Sequence, residues 1–335
     1  MTQTAVSPPE SLRRRSVSLD WRGLSPYAAL ALLMLLGALV NPDFLAVENL
    51  TNVVTRCSFI AVIAVGATFV ISGGGLDLSV GSMAAFVGGV TILVLNRAGP
   101  GAGIGTIALG MGVALAMGAL CGLGNGLIVA FGRIEPFIAT LGTMGIFRAL
   151  ITWLADGGTI AMRSSSLREL YRPVYFGEVL GIPVPILLFM TVAVLGAVIL
   201  YKTPFGRRVA AIGSNEEVAR YSGVPLKRAR ITTYVIQGLC VGLAVIVYVP
   251  RLGSATPTTG LLWELQAITA VVIGGTALRG GNGRIFGTIA GAVILEMVGN
   301  IMVLSDLVSE YLIGAVQGAI IIIAMLVQRS LSRSR

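Results

Sequence analysis

The sequence predicts an all-α, polytopic membrane protein, and three observations carry that prediction. Hydrophobic residues make up 55 % of the 335-residue chain and charged residues only 12 %, about half the charged share of a soluble domain. Mean hydropathy is +0.89. The apolar residues fall into runs of about 20, the length of helix that crosses a bilayer core, and no polar stretch between them is long enough to be a separate soluble domain.

About ten such runs can be read along the chain, at 26–45, 57–72, 79–96, 103–130, 137–155, 183–201, 231–250, 261–278, 285–304 and 309–328. The first follows Arg13, Arg14, Arg15 and Arg22, like the basic region of a signal peptide. It leads into Asn41-Pro42-Asp43 with no small-residue cleavage site, so it reads as a retained span. The organisation expected is a tail at 1–25, a transmembrane domain at 26–328 and a second tail at 329–335.

The net charge of +9 does not signal nucleic-acid binding, because the basic residues form no amphipathic or aromatic-interleaved surface. They occupy the gaps between apolar runs, where topology is encoded. Ten spans put the arginines preceding the first span, Arg133, the basic stretch 202–230, Arg279, Arg284 and the basic residues of the C-terminal tail on one side. The other side holds only Arg56, Arg97, Arg163, Arg168, Arg172 and Arg251, and Arg148 lies within a span. This asymmetry predicts both termini in the cytoplasm. The chain has no His, and Cys57, Cys121 and Cys240 sit unpaired inside apolar runs, so neither a metal site nor a disulfide framework is expected.

Two connecting segments are long. The first, 156–182, mixes acidic and basic residues ahead of Pro183 and Pro185. The second, 202–230, carries a helix signature: Ser214-Asn215-Glu216-Glu217 fits a capping box, and Gly223 followed by Pro225 supplies a left-handed stop. A short cytoplasmic helix from Asn215 to Ser222 is expected there. Small residues recur every four positions at Gly110, Ala114, Gly118, Gly122 and Gly126, at Gly81, Ala85 and Gly89, at Gly283, Gly287 and Gly291, and at Gly314 and Gly318. That spacing lines one helix face and permits close helix packing in lipid.

Two glycine-rich breaks interrupt the apolar pattern. Ser72-Gly73-Gly74-Gly75-Leu76-Asp77-Leu78-Ser79-Val80-Gly81 places a carboxylate, Asp77, between two runs and offers Ser79 as a cap for the second. It reads either as a tight cytoplasmic turn or as part of a substrate path, because unwound backbone at membrane depth must be buried or line a cavity. Gly274-Gly275-Thr276-Ala277-Leu278-Arg279-Gly280-Gly281-Asn282-Gly283-Arg284 is loosely similar. A P-loop needs Gly-x-x-x-x-Gly-Lys-Ser/Thr, and the only lysines, Lys202 and Lys227, lack that context. Any dependence on ATP therefore requires a partner.

The stretches Gly-Gly-Leu-Asp-Leu-Ser-Val-Gly at 74–81, Gly-Asn-Gly-Leu-Ile-Val at 124–129, Pro-Phe-Ile-Ala-Thr-Leu-Gly-Thr-Met at 136–144, Phe-Gly-Arg-Arg-Val-Ala-Ala-Ile-Gly-Ser-Asn-Glu-Glu-Val-Ala-Arg at 205–220 and Gly-Gly-Thr-Ala-Leu-Arg-Gly-Gly-Asn-Gly-Arg at 274–284 together resemble one family. It is the ribose-type sugar permeases of bacterial ABC importers, within a broader family that includes branched-chain amino-acid permeases. The resemblance implies a type II importer-like bundle in the inner membrane, no enzymatic activity and no cofactor of its own, and a homodimer of permeases. It also implies cytoplasmic ATP-binding subunits, a periplasmic sugar-binding protein, and a coupling helix where this chain has Gly213, Ser214, Asn215, Glu216, Glu217, Arg220 and Gly223.

Residues able to meet a sugar along a translocation path are Asp77, Ser79, Asn125, Thr140, Thr143, Gln266 and Asn300, each of which could equally join helices. Glu264 and Glu296 lie in apolar runs and would suit a proton-coupled carrier; Glu296 could instead pair with Arg148 or a backbone group. A branched-chain amino-acid cargo stays open. A membrane-embedded enzyme is disfavoured, because no nucleophile–base constellation is present.

Overall fold

A computed structural model describes residues 21–98 and 102–305, with a few positions between 312 and 322. In chain order the elements are α1 (Trp21–Val40), a 3-10 turn (Pro42–Leu45), α2 (Val47–Ser72), α3 (Val80–Asn96), α4 (Ile104–Phe131), α5 (Pro136–Leu154), β1 (Ile160–Ala161), α6 (Ser165–Tyr171) and α7 (Pro173–Phe176). The hairpin strands β2 (Glu178–Val179) and β3 (Ile182–Pro183) follow, then α8 (Val184–Lys202), α9 (Pro204–Ser214), α10 (Glu216–Tyr221), α11 (Leu226–Leu252), β4 (Ser254–Ala255), α12 (Trp263–Ile273) and α13 (Ile285–Ser305).

Among the described residues, six helices are long and apolar enough to cross a membrane: α2, α4, α5, α8, α11 and α13. Shorter apolar helices, α1, α3 and α12, fill the other described runs. The tenth run, 309–328, lies mostly outside the described residues. The boundaries differ from the hydropathy pattern for local reasons. α2 starts at Val47 rather than 57, because polar Val47–Arg56 continues the helix with Glu48 at its positive end. α12 covers only 263–273 of the expected 261–278. Leu262 is left-handed before it, and the Gly274-Gly275 pair ends it, Gly275 having a φ of +87°.

Every residue of α2 from Ile60 through Ser72 is buried. A helix apolar all round belongs at the centre of a bundle, and α2 packs there against α8, α11, α12 and α13. α11 is the second central helix, and α4 lies along it. A Cβ on Gly118 would collide with the Gly238 carbonyl, one on Gly238 with the Gly118 carbonyl, and one on Gly122 with the Tyr234 carbonyl. The longest small-residue stripe is thus the α4–α11 contact, where backbone meets backbone. Gly287 and Gly291 meet Gly274 and the Ala270 carbonyl in the same way, joining α13 to α12. Gly81 abuts Gly260, and Gly89 meets Ile151. Gly314 and Gly318 meet nothing within 4 Å among the described residues.

The 202–230 segment holds two helices where one was expected. Thr203 caps α9, its Oγ1 accepting from the Gly206 amide at 3.3 Å, with Pro204 as the first helical residue. α9 buries Val209 and Ile212 and exposes Arg207 and Arg208. The Ser214 capping box does not form, because Ser214 ends α9. Asn215 caps α10 instead, accepting from the Val218 amide at 3.0 Å. Glu217 is exposed and does not reach back, while Glu216 pairs with Arg220 at 3.3 Å and Arg230 at 2.7 Å. The stop is as expected: Gly223 has a φ of +75°, and the Val224 and Gly223 amides donate to the Ala219 and Arg220 carbonyls, both at 3.1 Å. These two bonds make a Schellman motif.

The close α4–α11 contact predicts the effect of one substitution. Gly122→Leu should lower the protein recovered in membranes several-fold, because a Leu cannot fit against the Tyr234 and Gly238 backbone. Gly112→Leu, on an open face of the same helix, should be recovered normally. Fluorescence-detected size exclusion of tagged variants measures both.

Candidate translocation site

The break after α2 is built by its glycines and closed by Asp77. The Gly74 and Gly75 amides donate to the Ile71 and Val70 carbonyls at 2.9 Å, turning the chain back on the helix end. Asp77 Oδ1 then accepts from the Ser79 amide at 2.9 Å and the Ser79 hydroxyl at 2.7 Å. Ser79 therefore does not cap α3 with its side chain. The Asp77 carboxylate organises the turn, and it accepts the hydrogen bond that the Ser79 hydroxyl donates.

Two further helices reach into the same break. Asn125 of α4 donates to Ser79 Oγ at 2.8 Å and lies 3.4 Å from each Asp77 carboxylate oxygen. Thr140 Oγ1 of α5 accepts from the Leu78 amide at 3.1 Å and stands 3.2 Å from the Leu76 carbonyl. The Tyr234 hydroxyl of α11 donates to that same carbonyl at 3.1 Å. Asp77, Ser79, Asn125 and Thr140, far apart in sequence, thus form one cluster. Asn125 Oδ1 and Gln237 Oε1 are buried with no partner among the described residues. A void of about 10 Å³ beside Tyr234, Gly75 and Val209 is at most water-sized.

The other expected residues lie apart. Thr143 is one turn from Thr140 and bonds only to the Thr140 carbonyl, at 3.2 Å. Gln266 is half-buried on α12. Asn300 exchanges amide hydrogen bonds with Asn49 at 3.0 and 2.9 Å, tying α13 to the start of α2. Tyr234 and Gln237 were not singled out from the sequence; the signal was two polar side chains three apart inside an apolar run.

A second unwound stretch separates α11 from α12. β4 pairs antiparallel with β1, Ile160 opposite Ala255 and Ala161 opposite Ser254. The chain then descends along α3 until Gly260 meets Gly81. Arg148 of α5 secures it, its guanidinium donating to the Pro257 carbonyl and, at 2.7 Å, to the Thr259 carbonyl. The Arg148 charge inside a span is thus spent on backbone carbonyls, and not on Glu296. Glu296 lies within electrostatic range of Arg56 and Arg251 instead.

The two glycine-rich breaks meet. The Gly281 amide donates to the Ser72 carbonyl at 2.9 Å, and Gly213 of α9 is wedged against both groups, leaving no room for a Cβ. Gly280, with a φ of +91°, packs on Gly213 and on the Gly74 amide. The loop helix α9 therefore touches both breaks through bare backbone.

The model of a family described as branched-chain amino acid transport system / permease component matches residues 49–325. The chain belongs to that family. It is 38 % identical to the ribose import permease protein of Haemophilus influenzae over 92 % of this chain and 94 % of that one. It is 39 % identical to the Bacillus subtilis ribose import permease protein, over 92 % and 93 %. The D-allose transport system permease protein of Escherichia coli is 31 % identical over 94 % of each chain. The ribose-type resemblance carried by the motifs thus extends over nearly the whole permease.

Removing the carboxylate tests the cluster. Asp77→Ala leaves the Ser79 amide and hydroxyl without their acceptor, a loss of about 1.5–3 kcal/mol at a charged hydrogen bond. Uptake should fall at least about tenfold, in line with that energy, while the assembled complex is recovered at the normal level. Thr140→Val should lower uptake in the same direction and less. Transport assays in proteoliposomes, with size exclusion as the control, read both.

Proposed function

We propose that this permease is the membrane-spanning subunit of a binding-protein-dependent, ATP-driven importer that carries a monosaccharide or related polyol across the bacterial inner membrane. The observation that carries the reading is the junction at Gly213, where a helix of the 202–230 loop bears directly on both unwound segments. Force applied to that helix from outside the bundle needs no long relay to reach the Asp77 cluster. The ribose and allose permeases at 31–39 % identity supply the cargo class.

Two copies of the permease pair in the membrane, both termini face the cytoplasm, and residues 26–328 form the transporting domain. ATP-binding subunits dock on α9 and α10; a periplasmic sugar-binding protein docks on the opposite end, around α6 and α7. Within 202–230, Asn215 and Gly223 hold α10 rigid and Glu216 ties it to Arg220 and Arg230. The docking face is then Glu217 with Val218 and Tyr221, which are 59 % and 84 % exposed. Large apolar side chains left in water beside a charge are typical interface anchors. The Asp77 cluster, with hydroxyls and an Asn125 carbonyl acceptor of unused capacity, offers neutral hydrogen bonds suited to sugar hydroxyls. ATP binding would shift α9, and through Gly213 both breaks, opening the path to alternate sides.

Two experiments test this. The native cysteines are all buried, so a maleimide should label Glu216→Cys only from the cytoplasm and Ser165→Cys only from outside; the reverse pattern would overturn the orientation. The Val218→Ser/Tyr221→Ala double variant should reach the membrane yet lose co-purification with the ATP-binding subunit by about 10- to 100-fold, as for loss of hot-spot contacts. ATP hydrolysis and uptake should fall together. Uptake that persists without the ATP-binding subunit and collapses with the proton gradient would replace this reading with a secondary carrier.

A further inference from the structure

The descending segment between α11 and α12 borders a cleft of about 310 Å³, within the range of small-molecule sites, about 300–1,000 Å³. Its walls combine two chemistries. Tyr248 and Trp263 present aromatic rings 5.0 Å apart at 85°, and Phe59 backs the indole at 4.8 Å, so neither ring can swing freely. Facing them are Thr256, Thr258 and Thr259, whose hydroxyls form a chain: Thr256 Oγ1 lies 3.0 Å from Thr258 Oγ1 and 3.1 Å from Thr259 Oγ1. Thr259 is fixed by accepting from the Thr256 amide at 3.0 Å. Among the described residues, no charged side chain lines the cleft.

We infer that this cleft is a monosaccharide subsite of the permease, with Trp263 stacking on the apolar face of the sugar ring, the buried Tyr248 ring holding the indole edge-on, and Thr256 and Thr258 exchanging hydrogen bonds with the sugar hydroxyls. A sugar is amphipathic in just this sense, with C–H faces and a polar rim. Aromatic rings supply flat apolar contact, and hydroxyls both donate and accept, as the rim requires. A zwitterionic amino acid would need fixed charges that the lining lacks. Unwound backbone between helix segments is where membrane transporters place their sites, and here Arg148 holds that backbone open by its carbonyls. Gly260 at the foot of the cleft touches Gly81, two residues from Ser79, so a sugar released downward meets the Asp77 cluster next.

The subsite rests on the sugar-import reading, and the test separates the two. The complete complex, with its ATP-binding subunit and binding protein, is reconstituted and offered D-ribose, D-allose and L-arabinose. Import of none of them, with ATP hydrolysis intact, would sink the import reading and the subsite with it. For the sugar imported, Trp263→Leu and Thr258→Val should each cut uptake at least tenfold while binding-protein-stimulated ATP hydrolysis stays at the wild-type level. Trp263→Phe, which keeps a flat ring, should recover much of it. In a Trp21→Phe/Trp153→Phe background Trp263 is the sole tryptophan. Its fluorescence should change saturably with the imported sugar at millimolar levels, and Thr258→Val should weaken that titration. Normal uptake in both variants, or a tryptophan signal blind to the imported sugar, would overturn the subsite.

Discussion

Backbone amides and carbonyls that leave a helix inside an apolar bundle have no water to turn to, and each one left bare costs several kcal/mol. Among the described residues the chain leaves its helices three times within the bundle, and each departure is satisfied in part from another element. Asp77, Thr140 and Tyr234 serve the first break. Arg148 serves the descent to α12. The third, after α12, is served by the Ser72 carbonyl and by Thr276 Oγ1, which accepts from the Arg284 amide at 2.9 Å. Placement of α2, α5 and α11 follows from these bonds, because each partner must stand within hydrogen-bond reach of a fixed stretch of backbone.

This arrangement also explains the distribution of polar residues. Those in the spans are few, and most bond to backbone. Thr68 and Ser72, for instance, return their hydroxyls to Ala64 and Thr68 carbonyls one turn earlier. Side chains free to meet a solute are therefore concentrated where the helices are interrupted, at the Asp77 cluster and in the Tyr248–Trp263 cleft.

Much of the architecture was legible in the sequence. Long apolar runs and four-residue glycine spacing are strong signals, and the close-packing face of α4 could be read directly from Gly118 and Gly122, though not which helix it meets. The break at 72–81 was visible because a carboxylate among glycines has no business in an apolar run unless it organises one. Less visible were features that depend on a distant partner. Asn300 looked like a pathway residue because a lone amide carries no mark of the Asn49 it pairs with. The short α12 was hidden because Gly260 and Leu262 interrupt a pattern that hydropathy alone reads as continuous. The cap of α10 shifted from Ser214 to Asn215 because α9 claims Ser214 as its last residue, and the Thr203-Pro204 start of α9 is a signal that could have been read.

The strand pair β1–β4 is only two residues long on each side, yet it fastens the 156–182 segment to the very backbone that lines the aromatic cleft. A few hydrogen bonds at about 1 kcal/mol each join the two. So small a clasp yields to a pull of a few kcal/mol, and any shift of α6 or α7 is carried along the chain to the cleft's rim.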